Sequence, residues 1–95
     1  MAKSILQMDK HSCFLCGSYN WIEEHHVFGG ANRKLSEKYG LKVYLCHWCH
    51  NEPPFGVHHH KDNRQALQCI AQAKAMRHYG WTEDDFRRIF GKNYL

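Results

Sequence analysis

Four of the five cysteines in this 95-residue chain fall in two matched pairs, Cys13-x-x-Cys16 and Cys46-x-x-Cys49. Each pair sets two sulfurs on one tight turn, and two such turns brought together make the closed tetrahedron of a structural zinc. Gly17, just after the second cysteine, lets the backbone turn tightly round the metal. The competing readings are four buried thiols, or a redox motif, which needs one pair at a helix start and not two matched ones. His47 is the secondary candidate to replace a thiolate, and Cys69 is expected to be buried within a helix.

Once four thiolates saturate one ion, the nine histidines need their own explanation. His25 and His26 are adjacent at the end of an expected strand, where neighbours point to opposite sides. One of them can bind a metal while the other faces elsewhere. That division suits phosphodiester hydrolysis, which needs a base on the water side of phosphorus and a cation on the leaving-oxygen side. A histidine, with an unperturbed pKa of about 6.5, is a fitting base at neutral pH. His50 and a histidine at the start of the next helix would complete the ion's shell. His11 and His78 read as ordinary surface residues.

Secondary structure must bring these side chains together. Met1 to Lys10 reads as either a short strand or a docking arm. A strand is expected from Tyr19 to Phe28, closed by Gly29-Gly30. Ala31 to Gly40 reads as a basic loop or short helix, and the alternation of Leu41 to Leu45 predicts a second strand running into the second cysteine pair. Pro53-Pro54 and Gly56 exclude regular helix. The pattern then turns helical from Val57 to Tyr79, with Leu67, Ile70, Ala71, Ala73 and Met76 on or near one face and Gly80 as the stop. Thr82 caps a last helix that turns Phe86, Ile89 and Phe90 inward, keeps Arg87 and Arg88 outward and ends at Gly91.

Composition bounds the rest. The chain reads as one domain, residues 1–95, and at this length it buries only about two-thirds of its unfolded surface, so a zinc staple fills a need. Hydrophobic content of 43% argues against disorder. A net charge of +4 fits a polyanionic partner. No apolar run approaches the ~18 residues of a membrane span, and Met1–Lys10 holds no apolar leader core. A cytoplasmic location is therefore expected, where cysteine pairs are metal ligands more often than disulfides.

Glu24-His25-His26-Val27, followed by Leu45-Cys46-x-x-Cys49-His50-Asn51, resembles the HNH endonuclease family with its ββα-metal fold. With Gly56-Val57-His58 and the closing Ile89-Phe90-Gly91-Lys92-Asn93-Tyr94-Leu95, it is similar to small phage and prophage HNH proteins of the recombination-enhancement type. The resemblance implies an α+β fold: a small zinc-stapled ββα-metal domain with additional C-terminal helices. It implies a DNA endonuclease in which His26 is the general base and His25, His50 and His58 hold the catalytic ion. His59 is the runner-up to His58, since two neighbours on a helix differ by about 100° in direction; His60 is expected to be solvated. The ion would be Zn2+, Mn2+ or Ni2+, which suit imidazole, or Mg2+, which prefers oxygen. The middle Asn of the family motif, due near Gly40-Leu41, is missing, and Asn32 or Asn51 is the candidate replacement. Arg33, Lys34, Lys38 and Lys42, between the two strands, are expected to contact DNA phosphates in a salt-sensitive way. The alternative is a non-cleaving, zinc-stabilised DNA-binding or accessory module of a phage recombination or packaging complex.

Overall fold

The computed structural model describes residues 3–95. Strand β1 (Ile22–His26) pairs antiparallel with β2 (Lys42–Cys46), His26 facing Lys42 and Ile22 facing Cys46. A single 3-10 turn (Gly30–Asn32) and helix α1 (Arg33–Lys38) lie between them. Helix α2 (His47–Asn51) follows β2 without a break, and α3 (Lys61–Tyr79) and α4 (Glu83–Phe90) complete an α+β domain. Among the described residues, no helix is long and apolar enough to cross a membrane.

β1 begins three residues later than expected because Trp21 takes a left-handed conformation, φ 52°. That geometry, uncommon for a bulky residue, ends strand pairing and turns the Trp21 carbonyl to accept the first amide of α2, His47 N, at 2.9 Å. The described part of the N-terminal segment is a docking arm and not a strand. Its Ile5 amide donates to Gly40 O at 2.9 Å, and the Gln7 side chain accepts from Tyr44 N at 2.8 Å. Met1 and Ala2 lie outside the described residues. Gly40 has φ 70°, and a Cβ there would meet the Lys3 carbonyl at 2.4 Å, so the arm and the β2 entry both require glycine.

α3 starts at Lys61 and not at Val57, because His60 is its N-cap: His60 Nδ1 accepts from Asn63 N at 3.1 Å. The buried stripe of α3 is Leu67, Ala71 and Ala75 at i, i+4 spacing, with Met76 partly buried. Ile70, expected inward, is exposed, and Cys69 is only half-buried. Gln72 is buried, but its amide is satisfied: it donates to Asn93 Oδ1 and accepts from Tyr94 N, both at 2.6 Å. These bonds fasten the C-terminal tail over the core, where Tyr94 packs 4.8 Å from Phe28. Phe28 also meets Phe86 and Phe90 of α4.

α4 opens with a full capping box: Thr82 Oγ1 accepts from Asp85 N at 3.1 Å and Asp85 accepts from Thr82 N at 3.0 Å. Thr82→Ala is expected to cost about 1 kcal/mol, read as a lower midpoint in urea. The Thr82 amide, and after it the Thr82 hydroxyl that the variant removes, hold Asp85 below its usual pKa. A depressed folded-state pKa gives stabilisation that is complete above pH ~4 and lost as pH falls below it, so the effect of this variant should shrink on acidification.

Candidate metal centres and their surroundings

The first centre is made by two turns meeting at the end of the sheet. The Cys13 turn is closed by Gly17 N donating to Cys13 O at 2.9 Å, with Gly17 at φ 79°. The second turn is the β2–α2 junction, where Cys46 is the helix N-cap and Cys49 sits one turn on. The sulfurs of Cys13, Cys16, Cys46 and Cys49 lie within 4.8 Å of one another. Cys16 and Cys46 are 3.6 Å apart, close to the ~3.8 Å that two sulfurs span across a tetrahedral zinc. Burial alone would raise the Cys13 thiol, but amides of Cys46, Cys16 and Leu15 directed at its sulfur bring it down to about 7. Burial, then the neighbouring sulfurs, push Cys49 up. Four thiols crowded in this way form a cluster that could hold zinc, whose charge offsets their mutual repulsion. His47 is not part of it. Both its ring nitrogens face carboxylates, Glu23 at 3.3 Å and Glu52 at 2.9 Å, and Glu23 foremost raises its pKa.

The second centre is built from His25 on β1, His50 at the end of α2 and His58 in the turn before α3. Their ring centroids lie 4.6–5.1 Å apart, and one nitrogen from each falls within 4.8 Å of the others. Backbone bonds lock the α3-side turn onto α2: Val57 N donates to Cys49 O at 2.8 Å and His58 N to His50 O at 3.2 Å. Gly56 makes this possible, since a Cβ there would lie 2.7 Å from the Glu52 nitrogen. His59 turns away and donates to Asn51 O at 3.1 Å. Neither His58 nor His59 is helical, so it is the turn and not a helix face that separates them. His60, expected in solvent, is half-buried as the α3 cap.

Three observations suit this cluster to a cation. His25 is 5% exposed, and its Nε2 is the one buried side-chain nitrogen or oxygen among the described residues without a hydrogen-bond partner. Such an orphan is costly unless something binds it. Burial, then the His50 and His58 rings, push His25 down to about 3, so its imidazole is neutral and could offer a lone pair to a cation. His50 Nδ1 lies 2.8 Å from Glu23 Oε1. The His50 bond, first among its neighbours, holds Glu23 below the usual carboxylate range. Glu23 is therefore ionised and can only accept, which fixes the proton on Nδ1 and leaves Nε2 unprotonated toward the centre, 2.9 Å from His58 Nε2. His58 is exposed, so the cluster opens to solvent, as three-ligand sites with a free position do. Glu23→Ala is expected to weaken cation binding here about 10–100-fold, measured by titration calorimetry on zinc-loaded protein.

His26 faces the other side of β1. Its Nε2 lies 2.8 Å from Glu37 Oε1 of α1, and its side chain is only 8% exposed. Lys42, directly across the sheet, places Nζ at 3.0 and 3.2 Å from the two Glu37 oxygens and 3.3 Å from Glu24. Lys42 therefore departs from the expected phosphate-binding set. It is 3% exposed, and its charge is spent on two carboxylates: alternation puts it on the His26 face of the sheet, where Glu37 of α1 and Glu24 cover it. Arg33, Lys34 and Lys38 are exposed on α1. Asn32 is engaged by α4: its amide donates to Phe90 O at 2.9 Å. Compared with protein-family models, curated proteins and solved structures, the chain matches none.

Glu23 and Glu37 were not singled out from the sequence. Glu23 could have been, since it stands two residues before His25 and so shares its face of the strand. Nothing local marks Glu37, whose position depends on the path of the Gly29–Gly40 connection.

Proposed function

We propose that the chain is a metal-dependent endonuclease of the HNH type, hydrolysing DNA phosphodiester bonds. The observation that carries this reading is the orphaned Nε2 of buried His25 in an open cluster with His50 and His58. These three nitrogens would hold a divalent ion, and Glu23 would keep the His50 ring turned toward it. When bound, such an ion supplies positive charge at the leaving oxygen of a phosphodiester. His26 is the candidate base, and Arg33, Lys34 and Lys38 are the candidate phosphate contacts. Chelated and then reloaded protein should nick plasmid DNA with one or more of Mg2+, Mn2+, Zn2+ and Ni2+. No cleavage with any of them would sink the proposal.

One observation favours a second reading, a zinc-stabilised DNA-binding or accessory module that does not cut. His26 is nine-tenths covered and already engaged by Glu37. Salt-sensitive DNA binding without nicking, or nicking that appears only when a phage recombination or packaging partner is added, would mark that case.

A further inference from the structure

On the side of the sheet away from the three-histidine centre, four charged or ionisable side chains form one closed group. Glu37 reaches it because α1 is anchored across the sheet end. Buried Ser36 donates from its hydroxyl to Leu41 O and accepts from Phe28 N, and Leu41 N donates back to Ser36 O at 2.8 Å. The next residue, Glu37, is thereby set over the cross-strand pair His26 and Lys42. Lys42 donates to both Glu37 oxygens, which fixes the carboxylate plane, and it also pairs with Glu24. An ammonium already fills the space among Glu24, Glu37 and His26, so this group is not a vacant cation site. Its geometry acts on the imidazole.

Resting on the nuclease reading, we propose that Glu37 is the positioning residue of His26: its Lys42-clamped carboxylate accepts the Nε2 proton and leaves Nδ1 as the basic atom. An ionised carboxylate can only accept, so the 2.8 Å contact places the hydrogen on Nε2. Among the described residues Nδ1 has no protein partner, and it is not buried, since His25 Nε2 is the one buried orphan. A water molecule can therefore reach it. In the step that follows, a water proton passes to Nδ1 and the water oxygen bonds to phosphorus. The leaving oxygen departs with the P–O bonding pair and takes a proton from solvent. The imidazolium that results keeps its Nε2–H on Glu37, as a carboxylate-oriented base does. Glu37 and Lys42 thus supply the hold on the base.

The test uses zinc-loaded full chain and Glu37→Gln, with Glu37→Asp as the conservative variant and Lys42→Met to release the clamp. Side-chain 15N NMR of wild type should show His26 with Nε2 protonated and Nδ1 bare, and Glu37→Gln should shift it toward a tautomer mixture. Cleavage by Glu37→Gln should fall about 100-fold in kcat with KM little changed, the scale of a misdirected general base. Glu37→Asp should recover part of that loss, and Lys42→Met should show a smaller loss in the same direction. A wild type with Nδ1 protonated, or Glu37→Gln cutting like wild type, overturns the positioning role alone. A wild type that cuts nothing overturns the nuclease reading, and this role with it.

Discussion

Stripping the four-cysteine cluster of its ion is expected to unfold the chain. Apart from the arm's backbone bonds, residues 3–21 have no strand or helix of their own, and the Cys13 turn joins them to the β2–α2 junction. Zinc held by four thiolates contributes about 10–16 kcal/mol to folding, against a total stability of about 5–15 kcal/mol for an ordinary domain. Loss of the ion should therefore remove all or nearly all of the margin. A strong chelator should collapse the far-UV circular dichroism of α3 and α4. Cys46→Ser should behave in the same way without chelator, because it removes one of the four sulfurs that would hold the ion. An unchanged melting midpoint after metal-free dialysis would refute the zinc staple.

The second large effect separates the neighbours on β1. His25→Ala should abolish ion binding at the three-histidine centre while leaving the cysteine cluster loaded. A bound cation supplies several kcal/mol of transition-state stabilisation, and each 1.36 kcal/mol is tenfold in rate, so cleavage should fall by about 1,000-fold or more. His26→Ala should keep both ions and the fold, yet lose about 100- to 10,000-fold in rate, the usual contribution of a positioned base. Metal analysis and plasmid nicking on the two variants read this contrast directly. Equal metal contents and equal activities would show that the two histidines do not divide the labour as proposed.

How far these features could be read from sequence depends on how local their causes are. The cysteine pairs have fixed spacings, and the two strands have alternating patterns, so the cysteine turns and the β1–β2 pair were expected where they occur, within a few residues. Thr82 and Gly91 bound α4 for equally local reasons. The start of β1 was misplaced because nothing in the composition of Trp21 announces a left-handed backbone; the bond from His47 N imposes it. The start of α3 was misplaced because histidine is an unusual N-cap. Ile70 was expected inward on periodicity, but the stripe that reaches the core runs through Leu67, Ala71 and Ala75. Around the histidines, strand alternation correctly sends His25 and His26 to opposite sides. The same rule puts Lys42 beside His26, but its burial comes from the docking of Glu37 and could not be read locally. Glu37 was beyond reach, because a residue on a connecting helix is placed by how that helix docks and not by its own neighbours.

Helix α2 is five residues long, yet it has Cys46 as its cap, carries Cys49 and His50, and receives the His58 turn through Val57 N and His58 N. Ions held at both ends of so short a lever would not be independent. Order imposed at one end is order already present at the other, so each ion should tighten the hold on its neighbour by the same factor, whichever arrives first. Half-filled molecules would then be scarce at intermediate metal supply.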